Sequence, residues 1–254
     1  MIVSTSHRFV YARVPKTAST SVSAALEPYR RTADRGLIGR IGRRLAPGST
    51  HPLLVDFRAH SHWPMLAARM VMGADWFDRA TRFTVVRHPF HWAQSYYRHL
   101  VRHDADPLHR AIWGAALAGG GFNAFVETLA DMAPPPQLAM LVGEDGAVLA
   151  QHVVRVEALD AELEPVRAAL GIAIDVPRLN VGGEAQRPID PASARRLETL
   201  FAADMAHFGY GPGGIAGTPS LAPSAASRAI GGQLARIGAI RFSPWEPLAA
   251  QLMG

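Results

Sequence analysis

The chain has a single lysine, and the residues that follow it could bind an anion. Of the 26 Lys and Arg residues in the 254-residue sequence, only Lys16 is a lysine. Four hydroxyl side chains follow within five positions, at Thr17, Ser19, Thr20 and Ser21. A lysine ammonium is a compact point charge, whereas a guanidinium is a planar fork, and hydroxyl groups supply further hydrogen-bond donors. Together these groups predict a cradle for phosphate-like oxygens.

The elements that must position this loop are a strand before it and a helix after it. Residues 9–14 are β-prone and end at Pro15, and residues 22–26 are predicted to be helical with hydroxyl side chains at the N-cap. Backbone N–H groups and the positive end of the helix dipole then face the turn, which favours an anion. The glycines of the nucleotide-kinase pattern GxxxxGKS/T are missing. An ordinary Ser/Thr-rich helix cap is the alternative interpretation.

An arginine and two histidines are further candidates for chemistry. Arg87 directly follows the clearest buried strand, and Ser95 lies on the helix predicted after it. An arginine at the end of a strand can bind phosphate oxygens through its planar fork. His60 and His62 flank a serine, and histidine is the usual base near neutral pH. The same spacing puts both rings on one face of a strand, so a structural role or a metal site stays open.

Strand and helix signals alternate along the chain, which predicts an α/β fold with a parallel sheet flanked by helices on both faces. The predicted strands cover residues 9–14, 53–57, 83–86 and 153–156, and further helices cover 65–72, 90–102 and 190–208, where Asp190 is the expected N-cap and Pro191 the first residue. Residues 211–227 are rich in Gly, Pro, Ala and Ser and read as a linker. We therefore expect a domain over residues 1–212 and a short appendage over 213–254.

The composition excludes several classes of protein. Without cysteine the chain has no disulfides, thiol nucleophiles or zinc sites built on thiolates. The sequence has no run of about 18 apolar residues and no signal-peptide pattern, so we expect no membrane span and a cytoplasmic location. The net charge of +5 favours anionic ligands. Residues 30–44 hold six arginines, which predicts either a guide for an anionic acceptor or a solvated loop; nucleic acid is disfavoured because Tyr29 is the only aromatic beside them.

The loop and four later segments resemble one known family. RVPKTASTS, from Arg13 to Ser21, resembles the 5′-phosphosulfate loop of sulfotransferases that use 3′-phosphoadenosine 5′-phosphosulfate (PAPS), and its wording is especially similar to that of uronyl 2-O-sulfotransferases. FTVVRHPF, with Ser95 eight residues after Arg87, resembles the 3′-phosphate motif of that family. RVEAL at 155–159, LNVGG at 179–183 and FGY at 208–210 match its later segments in order, so the resemblance spans about residues 8–212.

The sequence departs from the family pattern at two positions. His88 stands where Asp or Asn is common, and Trp92 stands where a second arginine often follows. Neither departure removes the predicted phosphate-binding pair, Arg87 and Ser95.

The resemblance implies a P-loop-NTPase-like α/β fold and assigns roles to individual residues. Lys16 would contact the phosphosulfate and its bridging oxygen, and Arg87 and Ser95 would bind the 3′-phosphate. In the HxH segment His62 takes the position of the base and His60 supports it. The implied donor-binding set is Arg13, Lys16, Thr17, Ala18, Ser19, Thr20, Ser21, Arg87, Ser95 and Asn180.

The predicted function is PAPS-dependent O-sulfation of a hydroxyl on a carbohydrate or another small acceptor, with adenosine 3′,5′-bisphosphate as the second product. Sulfuryl transfer from PAPS needs no metal, so none is expected. Two alternatives remain. One is an atypical nucleotide-dependent phosphotransferase, and the other is a nucleotide-binding protein of the same fold without turnover.

Overall fold

A four-stranded sheet forms the centre of the computed structural model, which describes residues 1–35, 62–102, 114, 120–177 and 188–237. The strands are β1 (Ile2–Ser4), β2 (Phe9–Ala12), β3 (Thr81–Val86) and β4 (His152–Arg155), in the order β1-β2-β3-β4. The β2, β3 and β4 strands are parallel, whereas β1 pairs antiparallel with β2. The sheet is therefore mixed rather than wholly parallel, because a connection of only four residues between β1 and β2 permits only a hairpin.

Helices connect and cover the strands. They are α1 (Ser19–Leu26), α2 (Met65–Met72), α3 (Ala74–Asp78), α4 (Pro89–Arg102), α5 (Gly121–Met132), α6 (Leu159–Glu162), α7 (Glu164–Leu170), α8 (Pro191–Leu200), α9 (Ala202–Phe208) and α10 (Ala225–Ile237). Within the described ranges, none of these helices is long and apolar enough to span a bilayer.

Both faces of the sheet are buried, which is why its strands read as continuous apolar runs. On β2, Val10 and Ala12 face one cluster, which contains residues from α2, α3, α9 and α10. Phe9 and Tyr11 face the other cluster, which contains residues from α1 and α7. The predicted α/β architecture with helices on both faces is confirmed at this level.

Several local predictions can be compared directly with the structure. The strands predicted at 83–86 and 153–156 correspond to β3 and β4, and the strand predicted at 53–57 lies outside the described residues. The side chain of Asp190 accepts a hydrogen bond from the Ser193 N–H (2.7 Å), which confirms it as the N-cap of α8. The single helix predicted over 190–208 is wrong, because Phe201 leaves the helical region (φ −108°, ψ 27°) and separates α8 from α9. The break lets Phe201 pack against Trp92 while Phe208 packs beneath the sheet.

Some of the described residues beyond 209 pack against the rest of the chain, although most of residues 212–223 are exposed. A short ladder joins β5 (Tyr210–Gly211) to β6 (Gly214–Ile215), and the Ser220 N–H donates to the His207 carbonyl (2.7 Å). On α10, Leu234 is buried in the core cluster that includes residues of α2 and α9. The domain boundary at residue 212 stays a prediction.

The packing of α10 depends on a close approach at Gly231. A Cβ atom added there would lie 2.5 Å from the Gly143 carbonyl oxygen and 2.8 Å from the Gly146 nitrogen, and both are backbone atoms. We expect Gly231→Ala to lower the free energy of unfolding by about 1–3 kcal/mol, as overpacking does, although alanine is the better helix former. Urea unfolding of both proteins measures the difference.

Gly213→Ala is the matched control, because a Cβ added at Gly213 meets nothing within 4 Å. Its free energy of unfolding should stay within about 0.5 kcal/mol of the wild-type value. An equal loss in both variants would contradict the proposed close approach.

Candidate functional site

Side-chain hydrogen bonds hold the backbone that leads from the end of β2 into the lysine loop. Most of the donors lie outside this stretch, and one lies within the loop. The backbone carbonyl oxygens of five consecutive residues, 12–16, each accept a side-chain hydrogen bond. The donors are, in that order, Thr84 Oγ1 (3.0 Å), His62 Nδ1 (2.7 Å), Thr17 Oγ1 (2.9 Å), Trp92 Nε1 (3.0 Å) and Arg87 Nη1 (3.3 Å). In a trans peptide the N–H of the following residue points away from the carbonyl. Anchoring these carbonyls therefore turns the loop N–H groups away from the anchoring side chains.

Two residues of the loop have left-handed backbone conformations without being glycine. Lys16 has φ 64° and Ala18 has φ 58°, and such conformations cost roughly 1–2 kcal/mol each for residues with a Cβ. The fully buried Thr17 lies between them and ties the loop to Val14. Strain of this kind persists only where the surroundings fix it, and it clusters at functional sites. Left-handed turns also gather backbone N–H groups into a concave anion site.

The first helix starts earlier than predicted and lacks a side-chain cap. The α1 helix begins at Ser19, and its N-cap residue is Ala18, with no capping hydrogen bond from any described side chain. The predicted hydroxyl N-cap is therefore wrong. Ser19 and Ser21 instead lie buried in the first turn, while Thr20 is exposed. The first-turn N–H groups, which a cap would otherwise satisfy, are left to an acceptor from outside the helix.

Lys16 lies among other cations. Burial, together with charge repulsion from Arg87, Arg102 and Arg98, lowers its pKa from 10.5 to about 8. Arg98 and Arg102 make no ion pair with any residue that the structure describes. Such a cluster of like charges is stabilised by an anion between them.

Arg87 is the first residue after β3, and its guanidinium is mostly buried. Burial lowers its pKa, and Glu157 opposes that shift. Its Nη1 donates to the Lys16 carbonyl, whereas its buried Nε has no hydrogen-bond partner in the described part of the chain. A buried donor without an acceptor is costly. This atom therefore fits an anionic ligand that would complete the site.

The α4 helix carries Ser95, which is paired with Arg87 in the predicted 3′-phosphate site, and Trp92, which has no role in that motif. Ser95 is half-buried on this helix. Trp92, which replaces the expected second arginine, donates its indole N–H to Pro15 and stacks on Tyr96 (5.2 Å between ring centroids). The substitution therefore exchanges a cation for a loop anchor.

His62 is placed beside the loop through the Arg13 carbonyl. Because a carbonyl oxygen only accepts, Nδ1 of His62 carries the hydrogen, and the neutral ring then has its lone pair on Nε2. Arg13, whose pKa is lowered by burial, is thereby part of the same assembly. His60 and Asn180, the other predicted site residues, lie outside the described residues.

Glu157 is a residue that the sequence placed in a motif without a role. Its carboxylate accepts hydrogen bonds from the His88 backbone N–H (2.9 Å), the Tyr210 hydroxyl (2.8 Å) and the His91 ring (3.2 Å). Burial alone would raise its pKa, but these bonds lower it to about 2. Glu157 therefore fixes the turn that follows Arg87 while staying ionised.

A cavity of about 150 Å³ opens beside the same turn. Its walls are mostly apolar, and they are formed by His88, Pro89, Phe90, Ile189, Ala194, Leu197, Glu198, Met205 and Pro212. Such walls suit an uncharged ring or chain. Elsewhere in the described ranges, no group of three or more His, Asp or Glu residues could hold a metal ion.

One comparison with known proteins identifies a relationship. A family model described as "Sulfotransferase family" matches residues 1–132, just over half of the 254 residues. The match includes the lysine loop, Arg87 and Ser95. No curated protein and no solved structure matches the chain.

The buried charge of Lys16 should destabilise the protein when no anion is bound. The pKa of Lys16 is 10.5 when unfolded and about 8 when folded, so the unfolded chain binds more protons between these pH values and stability rises with pH there. Below pH 8 the full penalty remains. We expect Lys16→Met to raise the free energy of unfolding at pH 7 by about 1–2 kcal/mol, after allowing for solvent screening, and the gain to disappear towards pH 10.5.

Chemical denaturation at pH 7 and pH 10, without nucleotide, measures this difference. Arg195→Met on the exposed surface of α8 is the control and should change little at either pH. A Lys16→Met protein that is less stable than wild type at pH 7 would show that the ammonium is not held under strain.

Proposed function

Because this chain belongs to the sulfotransferase family, we propose that it is a PAPS-dependent O-sulfotransferase with a P-loop-like donor site. The observation that carries the proposal is the convergence of two cationic residues on one loop. Arg87 donates to the Lys16 carbonyl and keeps a buried Nε in need of an acceptor, while Lys16 is half-buried among arginines. A donor with separate 5′- and 3′-phosphate groups supplies an anion for each.

The assignment of residues to the donor rests on the motif resemblance, and the positions of the described residues support it. The 5′-phosphosulfate binds to the ammonium of Lys16 and to the loop that contains Thr17, Ala18, Ser19, Thr20 and Ser21. The 3′-phosphate binds to Arg87 and Ser95, and the adenine occupies the apolar cavity beside His88. Arg13 supports the loop, and Asn180 completes the donor site as the motif implies.

The chemistry needs a charge stabiliser and a base. The sulfuryl group moves in line from one oxygen to another, so the bond from sulfur to the bridging phosphate oxygen breaks as the bond to the acceptor oxygen forms. Lys16 stabilises the charge that develops on the leaving phosphate. Nε2 of His62, which carries the lone pair because Nδ1 is bonded to Arg13, accepts the proton of the acceptor hydroxyl.

The acceptor is a carbohydrate or another small hydroxyl compound that carries negative charge. Ser95, Arg98 and Arg102 are spaced three and four positions apart, so they share one face of α4. The helix has no acidic residue, and both arginines are unpaired within the described ranges. A carboxylate or sulfate on the acceptor fits this face.

Nucleotide binding tests the donor directly. In calorimetric titrations we expect adenosine 3′,5′-bisphosphate to bind at least about 100-fold more tightly than ATP or GTP with Mg²⁺, since two phosphate sites are each worth several kcal/mol when buried. Arg87→Ala should remove most of this preference. Equal or preferred binding of ATP with Mg²⁺ would overturn the proposal in favour of a phosphotransferase.

The role of His62 is tested by turnover. Labelled PAPS first identifies an acceptor from a panel of sugars, phenols and lipids, and single-turnover rates are then measured. We expect His62→Ala to lower the rate of transfer by about 10²–10⁴-fold, the usual contribution of a general base, and to lower the affinity for the bisphosphate much less, because the ring also holds the Arg13 carbonyl of the loop.

His7→Ala is a matched control. The ring of His7 also donates from Nδ1 to a backbone carbonyl, that of Tyr29 (3.0 Å), but it lies away from the lysine loop. The control should keep the wild-type rate. Full turnover by His62→Ala would show that another residue is the base.

A further inference from the structure

A glutamine outside all the motifs holds the main chain of Arg87. Oε1 of Gln137 accepts the Arg87 N–H (3.0 Å), and Nε2 of Gln137 donates to the Arg87 carbonyl (2.7 Å). The residue is separated from Arg87 by fifty positions in the sequence and is buried, with 5% of its surface exposed.

The position of this contact is informative. The pairing of β3 ends at Val86, so Arg87 is the first residue whose backbone groups have no strand partner. Buried backbone groups need partners, and a primary amide is a side chain that both donates and accepts. Gln137 therefore takes the place of a neighbouring strand at the residue from which the phosphate-binding guanidinium extends.

Gln137 is itself held by a buried carboxylate on another element. Asp204 on α9 accepts hydrogen bonds from the backbone N–H groups of Gln137 (2.8 Å) and Leu138 (2.9 Å), which begin a short 3-10 turn, Gln137–Met140. Asp204 is fully buried, and its burial outweighs the two N–H donors, so its pKa is raised to about 7. A buried carboxyl group is costly. Here it holds the backbone of Gln137, whose side chain in turn holds the backbone of Arg87.

We infer that Gln137, held by Asp204, is a positioning residue that gives the donor site its selectivity for a 3′-phosphate. The inference rests on the proposed function, in which Arg87 binds that phosphate. The guanidinium already reaches the lysine loop through Nη1. A shift of its main chain would therefore misplace the buried Nε and the contact with the loop together, and misplacement of about 1 Å is enough to weaken a charged site severely.

The experiment compares two nucleotides that differ only in the 3′-phosphate. For the full-length chain, calorimetry gives the affinities for adenosine 3′,5′-bisphosphate and for adenosine 5′-monophosphate. We expect Gln137→Leu, which is similar in size but loses both hydrogen bonds, to weaken bisphosphate binding about 10-fold or more and to weaken monophosphate binding much less, because the 5′-phosphate site depends on Arg87 only through its contact with the Lys16 carbonyl. Gln137→Glu keeps the acceptor for the Arg87 N–H but places a carboxylate oxygen against the Arg87 carbonyl, so it should lose the selectivity as well.

A double-mutant cycle with Arg87→Ala separates positioning from general stability. If Gln137 acts through Arg87, then Gln137→Leu should have no further effect on bisphosphate affinity in the Arg87→Ala background. Asp190→Ala, which removes the cap of α8, is the control for a loss of stability at a distance and should keep the selectivity. Asp204→Asn is a second route to the same result if Gln137→Leu does not fold, and it should reduce the selectivity in part.

The outcomes are distinguishable. Equal losses for both nucleotides, or an additive loss in the Arg87→Ala background, would overturn the positioning role. A wild-type protein without preference for the bisphosphate would instead overturn the proposed function. Selective binding by wild type that survives both Gln137→Leu and Asp204→Asn would reject this inference alone.

Discussion

The structure depends on one constraint, which is that the backbone leaving β2 must be held in place by side-chain hydrogen bonds to its carbonyl oxygens. Five consecutive carbonyls, from Ala12 to Lys16, are each bound by a side chain. Apart from Thr17, the donors come from β3, from the residue after it, from α4 and from the segment before α2. Sheet, helix and loop are thus joined at one short stretch of chain, and the left-handed residues Lys16 and Ala18 are tolerated because this stretch is fixed from all sides.

The same hydrogen bonds give two side chains of the proposed site a structural role as well. His62 anchors the Arg13 carbonyl, and that bond determines which ring nitrogen has the lone pair. Arg87 anchors the Lys16 carbonyl with one nitrogen and keeps another without a partner in the described ranges. A change at either residue therefore alters the loop as well as the chemistry, so mutational effects on this site should not be additive.

Features set by local sequence were predictable, and features set by distant contacts were not. The strand before Arg87 and the N-cap at Asp190 follow from apolar runs and capping residues close in sequence. The positive φ angles at Lys16 and Ala18 carry no glycine signal, and the break at Phe201 depends on packing against Trp92. The anchoring contacts of Trp92 and Gln137 were not predicted because their partners lie 77 and 50 positions away. In a single sequence, Trp92 in place of an arginine is visible only as a departure from the family pattern, and its hydrogen bond to the loop is not.

There is a physical reason for a lysine at position 16 in a chain whose other basic residues are arginines. Burial and three neighbouring arginines bring its pKa to about 8, whereas a guanidinium keeps its proton at every accessible pH. Charge alone would serve to bind a phosphate, and in the proposed function Arg87 does so. A compact ammonium, unlike a planar guanidinium, concentrates its charge on a single oxygen, which suits a group that stabilises a leaving oxygen. The loop pays for this with strain and with buried charge. The proposed function explains both costs together, because in it the ammonium of Lys16 acts on the oxygen from which the sulfuryl group departs.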